Sequence, residues 1–265
     1  MPLPNSKEAG DFRNTIETLS RTKSSPVTVF SDLVRIAACA VACQTREDEY
    51  HEVIKRYKPG EQVKLSKAFA YLVNEMQDHP FADVLGEYYQ DIASKSARDG
   101  RGEFFTPEPV SEFMARISLN VDEVIENGKP ITVGEPACGA GGMILQLAKQ
   151  LSPVVTGMEQ SHVDLLRVTA QDISPIACDM TYVNTSLWGI PCRVLRGNTL
   201  TNEITHGWKN VHWLRVGEDW RQAIAHLETL MGQEPPEDYQ EPRLEQETMP
   251  QTFDYTMGEQ MMFDM

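Results

Sequence analysis

Ile131-Thr-Val-Gly-Glu-Pro-Ala-Cys-Gly-Ala-Gly-Gly-Met-Ile-Leu-Gln-Leu147 carries the clearest structural signal in this sequence. It joins a short β-branched run to a turn with three glycines and then to an apolar helical pattern, which predicts a strand, a loop and a helix. Glycine tolerates positive φ and carries no Cβ, so such a loop presents backbone N–H groups and a helix dipole to a ligand. The stretch therefore predicts an α/β fold with a ligand site at the loop.

Two common ligand classes do not fit this loop. A phosphate-binding P-loop needs Lys and Ser/Thr after its last glycine, whereas Ala140 and Gly141 follow Gly139. The dinucleotide fingerprint needs a third glycine at position 144, which is Ile144. Neither a nucleoside triphosphate nor a dinucleotide is therefore expected.

The segment Glu135-Pro-Ala-Cys-Gly-Ala-Gly-Gly142 resembles the Asp-Pro-Ala-Cys-Gly-Ser-Gly-Gly loop of N6-adenine DNA methyltransferases, in particular the modification subunits of type I restriction-modification systems. The resemblance implies a Rossmann-like α/β methyltransferase domain and S-adenosylmethionine as the cofactor. In the family this loop wraps the methionine and ribose parts of the cofactor. The cofactor-binding residues that it implies here are Glu135, Ala137, Gly139, Gly141 and Gly142.

A second segment, Gly102-Glu-Phe-Phe-Thr-Pro107, resembles the Gly-Glu/Gln-Phe-Tyr/Phe-Thr-Pro segment of the same family. The resemblance implies that Phe105 and Thr106 close over the methionine end of the cofactor. The residues themselves predict a helix with Thr106 as its N-cap and Pro107 at its first position. Its buried stripe is expected to consist of Val110, Phe113, Met114 and Ile117.

Nucleoside-binding α/β folds carry an acidic residue at the end of the second strand, where it takes the ribose hydroxyls. The two candidates are Glu159, twenty residues after Gly139, and Asp172. We favour Asp172 because its strand runs into a helix with Ser174 as N-cap. This segment also resembles the strand-Asp-helix unit of the family. Residues 152–164 then form a loop or a short insertion.

A third short strand is expected at 192–196, followed by the turn Gly197-Asn-Thr-Leu200. In the family a turn of this kind contacts adenine, so the resemblance assigns that role to Asn198. Its amide offers both a donor and an acceptor to a base edge. In the part of the methyltransferase sheet that this chain contains, the expected strand order is 3-2-1-4.

The resemblance covers residues 100 to 200 and stops before the catalytic box of the family, Asn/Asp-Pro-Pro-Tyr/Phe, which holds the extruded target base. The candidate fourth strand, residues 210–216, runs into Gly217-Glu-Asp-Trp220 instead of the box. Glu234-Pro-Pro-Glu237 supplies neither the amide nor the aromatic ring. Trp213, Asp219 and Trp220 remain as unusual residues for holding a base, and the catalytic residues are unassigned.

Hydropathy and breakers divide the chain into four parts: a frayed N-terminus (1–25), a helical domain (26–100), a methyltransferase-like domain (101–232) and an acidic tail (233–265). Helices are expected within 27–45, 63–73, 81–95 and 219–231. The tail is rich in Pro, Glu, Gln and Met, which is typical of disorder.

The net charge of −15 argues against non-specific binding of nucleic acid, which depends mainly on basic side chains that neutralise phosphates. Residues 217–265 contain twelve carboxylates and two arginines, so most of the charge belongs to the tail. An apolar run long enough for a membrane and a secretory leader are both lacking, so we expect a cytoplasmic protein. The five scattered cysteines indicate reduced thiols and no metal site.

Three functions fit these observations. The first is an adenine-N6 DNA methyltransferase that binds S-adenosylmethionine and acts on or around DNA modification. It would be completed by a partner subunit that meets DNA or by residues such as Trp213, Asp219 and Trp220. The second is a catalytically inactive homologue that binds a protein through its helical domain or acidic tail, as an anti-restriction factor would. The third is a binding module that uses the loop only as a scaffold.

Overall fold

The glycine-rich stretch forms the expected strand, loop and helix in the computed structural model of the chain, which describes residues 7–95, 105–159 and 161–216. The strands of this part are β1 (Ile131–Glu135), β2 (Leu166–Asp172), β3 (Cys192–Asn198) and β4 (Glu203–Lys209). The helices are α1 (Lys7–Lys23), α2 (Pro26–Ala40), α3 (Glu47–Ile54), α4 (Pro59–Asp78), α5 (Val84–Lys95), α6 (Glu108–Ser118), α7 (Val121–Asn127), α8 (Gly142–Gln150), α9 (Pro153–Thr156), α10 (Pro175–Leu187) and α11 (Val211–Val216).

The four strands form one mixed sheet in the order β1-β2-β3-β4. The first three strands are parallel, as expected of an α/β fold, and β4 is antiparallel to β3. The predicted order 3-2-1-4 is therefore wrong in the position of the fourth strand. The connection 199–202 is short, and a short connection permits only an antiparallel hairpin, whereas a parallel strand beside β1 needs a crossover of about a dozen residues.

The fourth strand also lies at a different place in the sequence. Residues 211–216, predicted to be a strand, form α11. Asn210 explains this, because its side-chain oxygen accepts a hydrogen bond from the Trp213 N–H at 2.9 Å and its carbonyl accepts one from Leu214. A side chain that captures free N–H groups in this way starts a helix.

Residues 7–23 form a helix where a frayed segment was expected from the sequence. Helix α1 buries Phe12, Ile16 and Leu19, which recur at helical spacing on one face, and it packs against α2 and α4. Most residues between these three are polar, so the sequence showed no clear apolar pattern here. The frayed-terminus prediction is therefore wrong for residues 7–23.

The helices predicted within 27–45, 63–73 and 81–95 are present as α2, α4 and α5, and α2 and α5 pack against α10, the helix that follows β2. One buried cluster contains Phe30 and Tyr88 from the helices together with Val168 from the sheet. The layer of helices therefore supports the face of the sheet that lies under α10. None of the described helices has the length and hydropathy needed to cross a membrane.

Helix α6 differs from its prediction in both its start and its buried face. It begins at Glu108 with Pro107 at the N-cap position, so Thr106 is not its N-cap. Ser111 and Ala115 are its buried residues, whereas Val110, Phe113 and Ile117 are exposed. The cause is that α6 turns its small residues toward α8, which it contacts extensively.

Several predictions fall on residues outside the described ranges. These are the helix at 219–231, the acidic tail at 233–265, and Asp219 and Trp220 as residues for holding a base. Glu103 and Phe104 of the second family-like segment lie outside them as well. The division of the chain at residue 100 stays a prediction.

Candidate functional site

Three polar residues predicted from the sequence end three neighbouring parallel strands. Glu135 is the last residue of β1, Asp172 of β2 and Asn198 of β3. The carboxyl ends of parallel strands meet at one edge of a sheet, and ligands of open α/β sheets bind in the crevice outside that edge. The fold therefore brings these three side chains to the same edge.

The glycine loop closes over the end of β2. The Gly139 N–H donates to Asp172 Oδ2 at 2.9 Å, and the Cys138 N–H donates to the Gln171 carbonyl at 2.9 Å. Gly139 has φ +54° and Gly141 has φ +87°, values that favour glycine. Gly141 is also the N-cap of α8, so the loop delivers the N-terminus of that helix to the same edge.

Helix α10 fixes the loop from behind. The Thr181 hydroxyl donates to the Gly139 carbonyl at 2.9 Å, and the Asn184 amide donates to the Ala140 carbonyl at 2.7 Å. Both side chains are buried. The loop is therefore held through its carbonyl groups, and its shape does not depend on a ligand.

Phe105 packs directly on the glycine loop. A Cβ added to Gly139 would lie 2.8 Å from the Phe105 ring, so only glycine permits this contact. The Tyr89 ring, 5.6 Å from that of Phe105, supports it from the other side. The structure thus joins the two family-like segments, which are about 30 residues apart in sequence.

A pocket of about 300 Å³ lies between α5, the start of α6 and the start of α8. Three residues predicted from the sequence line it, namely Phe105, Thr106 and Gly142. Ser111 and Gln146 also line it, and each is buried with one side-chain oxygen that has no hydrogen-bond partner in the described part of the chain. Buried polar atoms are normally satisfied, so these two oxygens indicate a ligand or water in the pocket.

The charge of the site is negative. Burial raises the pKa of the Asp83 carboxyl in the pocket to about 6, against hydrogen bonds from Gly86 and Asn184 that lower it. Burial also raises the pKa of Glu135; the Ala137 N–H opposes this shift, and the charge of Asp172 adds to it. A site of this kind favours a cationic ligand.

The structure places the two candidates for the ribose contact differently, and the role of Asp172 stays a prediction. Asp172 ends β2 and its Oδ1 accepts a 2.8 Å hydrogen bond from the Ser174 N–H at the start of α10. Glu159 is exposed in the connection after α9, away from any strand. The described residues of 152–164 contain the short helix α9 and no strand, where a loop or short insertion was predicted.

Asn198 lies where β3 leaves the sheet. Its Oδ1 accepts a hydrogen bond from the Leu200 N–H at 3.0 Å, which tightens the turn. The neighbouring Thr199 hydroxyl donates to the Pro136 carbonyl at 2.6 Å, which ties this turn to the glycine loop. The bond from Leu200 uses the Asn198 oxygen and not its amide N–H₂, which is a donor group.

Sequence reasoning missed several residues of the site. Ile173 and Leu200 follow the predicted polar residues closely and are 66% and 97% exposed, which is unusual for aliphatic side chains. Asp83, which directly precedes α5, and Ser111 of α6 reach the pocket. Ile173 was detectable as an apolar residue in a polar turn, but no local pattern marks Asp83.

The region where the catalytic box was expected is described only as far as residue 216. It contains the hairpin strand β4 and α11, with no Asn/Asp-Pro-Pro sequence. Trp213 packs under the Arg193 guanidinium, 5.6 Å from the ring centre, on the sheet. Trp213 is therefore engaged in packing, which argues against its use in holding a base.

The chain is similar to known proteins over much of its length. A family model described as N-6 DNA Methylase matches residues 79–228. A type I restriction enzyme MpnII methylase subunit from Mycoplasma pneumoniae is 28% identical over 127 residues, which are 46% of this chain and 21% of that protein. The chain therefore spans about a fifth of the length of that relative.

Two solved structures are similar over 74% of the chain. One is a putative class I S-adenosylmethionine-dependent methyltransferase from Listeria monocytogenes, with a TM-score of 0.44, 12% identity and 54% of its chain covered. The other is a type I restriction-modification system methyltransferase subunit from Streptococcus thermophilus, with a TM-score of 0.38, 18% identity and 45% covered. The family match, which takes in more than half of the sequence, carries the assignment: this chain belongs to the N-6 DNA methylase family.

Proposed function

We propose that the chain binds S-adenosylmethionine at the carboxyl edge of its sheet and acts in DNA adenine-N6 modification. The observation that carries the proposal is the convergence of Glu135, Asp172 and Asn198 at the ends of three parallel strands, beside the glycine loop. Membership of a DNA methylase family implies this cofactor. Bound S-adenosylmethionine would supply a methyl group on a positively charged sulfur.

The residues present fit such a ligand at its nucleoside end. Asp172 would accept hydrogen bonds from the ribose hydroxyls, since each of its oxygens already takes one backbone N–H and keeps a further lone pair. Asn198 would read the adenine edge. Ile173 and Leu200 offer apolar surface for the faces of a planar base, a role that would explain their exposure.

The fit extends to the methionine end. The pocket volume of about 300 Å³ is at the lower limit for a ligand site, so it suits one end of the cofactor. Phe105, Thr106 and Gly142 would enclose that end. The ammonium and sulfonium charges would be attracted by the Glu135 and Asp83 carboxylates, and the free oxygens of Ser111 and Gln146 are acceptors for N–H groups.

The same chain has no catalytic box in its sequence, and this favours a second candidate function. In that candidate the chain is an inactive homologue that binds a protein partner through its helical domain or acidic tail. In the first candidate a partner subunit would supply contacts to DNA. Both candidates keep the cofactor site, so they differ in methyl transfer and not in cofactor binding.

Isothermal titration of the full chain with S-adenosylmethionine tests the proposal. We expect micromolar binding that is abolished by Gly141→Val and weakened at least tenfold by Asp172→Asn, with Glu159→Gln as the control that leaves affinity unchanged. Absence of binding at millimolar cofactor would contradict the proposal. Transfer of a tritiated methyl group to unmethylated DNA, alone and with a candidate partner subunit, then separates the two functions.

A further inference from the structure

Helix α6 carries an apolar stripe that the described fold leaves uncovered. Val110 is 48% exposed, Phe113 61% and Ile117 60%, and these residues recur at positions i, i+3 and i+7 on one side of the helix. Single exposed apolar residues are ordinary, but a contiguous stripe marks an interaction surface. We call the three residues the α6 stripe.

The α6 stripe is separate from the cofactor pocket. The pocket is lined by Pro109 and Ser111 of the same helix, and no residue of the α6 stripe lines it. Ser111 and Ala115 form the side that packs toward α8. The three side chains of the stripe therefore form no wall of the pocket.

A pair of opposite charges follows one flank of the stripe. The Arg116 guanidinium and the Glu112 carboxylate lie 2.6 Å apart, one helical turn from each other, and Arg116 is 61% exposed. The helical spacing places Arg116 beside Phe113 on the wheel. The flank thus presents an acid nearer the N-terminus of the helix and a base nearer its C-terminus.

This arrangement is complementary to itself. When two identical helices pack antiparallel about a two-fold axis, the same flank of each helix faces its counterpart in the reverse direction. Arg116 of one copy then faces Glu112 of the other, twice, and the two apolar stripes cover each other. In a parallel two-fold pair the flank of one helix would instead face the opposite flank of the other, so Arg116 and Glu112 would not meet across the contact.

We infer that a second copy of this chain covers the α6 stripe, forming a two-fold dimer through antiparallel contact of the two α6 helices around Phe113. The inference rests on the exposure of the stripe and on the order of the flanking charges. It is independent of cofactor binding. Residues of one copy are not needed to complete the pocket of the other.

The first test is the concentration dependence of the mass of the full chain, measured by sedimentation velocity and light scattering. We expect a monomer–dimer equilibrium in the micromolar range. Phe113→Asp should weaken it by roughly 30-fold or more, the effect of losing a central aromatic contact. The control is Val63→Asp on α4, where an isolated Val is 55% exposed, and it should leave the equilibrium unchanged.

The second test exploits the charges. Glu112→Arg makes the flank wholly basic and Arg116→Glu makes it wholly acidic, so each variant alone should dimerise more weakly than the wild type. An equimolar mixture of the two should form a heterodimer, because each basic flank then meets an acidic one. A partner other than a second copy predicts no such recovery on mixing.

Other outcomes overturn the inference. The inference is wrong if the chain remains monomeric at every concentration. It is also wrong if the chain forms a dimer that Phe113→Asp does not weaken. If the chain is a monomer and Phe113→Asp lowers its free energy of unfolding much more than Val63→Asp does, another part of the same chain covers the stripe. Failure of the two charge variants to pair when mixed contradicts the antiparallel arrangement.

Discussion

The Asp172 carboxylate accepts a 2.9 Å hydrogen bond from the backbone N–H of Gly139. This contact joins the end of β2 to the loop that follows β1, across 33 residues of sequence. The other carboxylate oxygen accepts the Ser174 N–H at the start of α10. Asp172 therefore shapes the site before any ligand arrives, in addition to its proposed contact with ribose.

The first prediction concerns stability in the absence of cofactor. Asp172→Ala leaves the N–H groups of Gly139 and Ser174 without their acceptor, and we expect it to lower the free energy of unfolding by about 1–3 kcal/mol. The measurement is equilibrium unfolding in urea without ligand. Glu159→Ala removes an exposed carboxylate and should change stability by less than about 0.5 kcal/mol. Equal effects of the two substitutions would mean that the Asp172 bonds contribute nothing to the fold.

The second prediction concerns the packing of Phe105 on Gly139. Gly139→Ala introduces a Cβ that would lie 2.8 Å from the Phe105 ring, at a residue with φ +54°. The matched control is Gly157→Ala, which has φ +66° and open space around its Cβ. Both variants lose about 1–2 kcal/mol from the backbone conformation, and only Gly139→Ala also displaces the ring.

We expect Gly139→Ala to be the less stable of the two and to lose S-adenosylmethionine binding, whereas Gly157→Ala keeps wild-type affinity. Thermal unfolding and isothermal titration of the two variants measure both effects. The contact between the two family-like segments would be unimportant if Gly139→Ala bound the cofactor as tightly as Gly157→Ala.

The third prediction concerns pH. Burial raises the pKa of Asp83 to about 6 in the folded chain, above the usual value of about 3.9 for an unfolded Asp. The folded state therefore binds the proton more tightly, so this stabilisation is full below about pH 4 and is lost as the pH rises through 6. Asp83→Asn removes the effect, while its Oδ1 keeps both hydrogen bonds, from Gly86 and from Asn184.

We expect the stability of wild type relative to Asp83→Asn to fall by on the order of 2 kcal/mol between pH 4 and pH 6.5. Urea unfolding of both proteins at four pH values measures the difference. Glu126→Gln, at an exposed position of α7, is the control substitution. A difference that rises with pH, or does not change, contradicts the buried-carboxyl account.

The fourth prediction concerns the connection between the helices and the sheet domain. Asp179 on α10 accepts a hydrogen bond from Arg46 at 2.8 Å and also pairs with Arg35, and both Asp179 and Arg46 are almost fully buried. Asp179→Ala leaves the buried guanidinium of Arg46 with Glu49 as its remaining acidic partner. We expect a loss of about 3 kcal/mol in the free energy of unfolding.

Glu52→Ala is the control for Asp179→Ala, because it removes an exposed ion pair with Arg56 one helical turn away. Exposed pairs of this kind contribute less than about 1 kcal/mol. Denaturant unfolding of both variants provides the comparison. Similar losses for both would show that the buried pair does not hold α2 and α3 onto α10.

The glycine loop and Asp172 were predictable because their signals are local. A glycine at positive φ, a strand that ends in a carboxylate and a helix that starts at Ser174 are all encoded within about ten residues. The pairing of Phe105 with Gly139 was expected only from the order of two segments. The pocket residues Asp83 and Ser111 had no local signal, since their role depends on three helices that meet.

Local sequence signals were sufficient for the strand, loop and helix around Gly139, for the helices between residues 27 and 95, and for the polar residues at the strand ends, because each depends on neighbours along the chain. The position of β4 and the face that α6 buries depend instead on tertiary packing. A hairpin turn placed β4 beside β3, and close packing on α8 selected Ser111 and Ala115 over Phe113. Periodicity identifies an apolar face, but the partner that covers it is chosen by which surfaces fit in three dimensions.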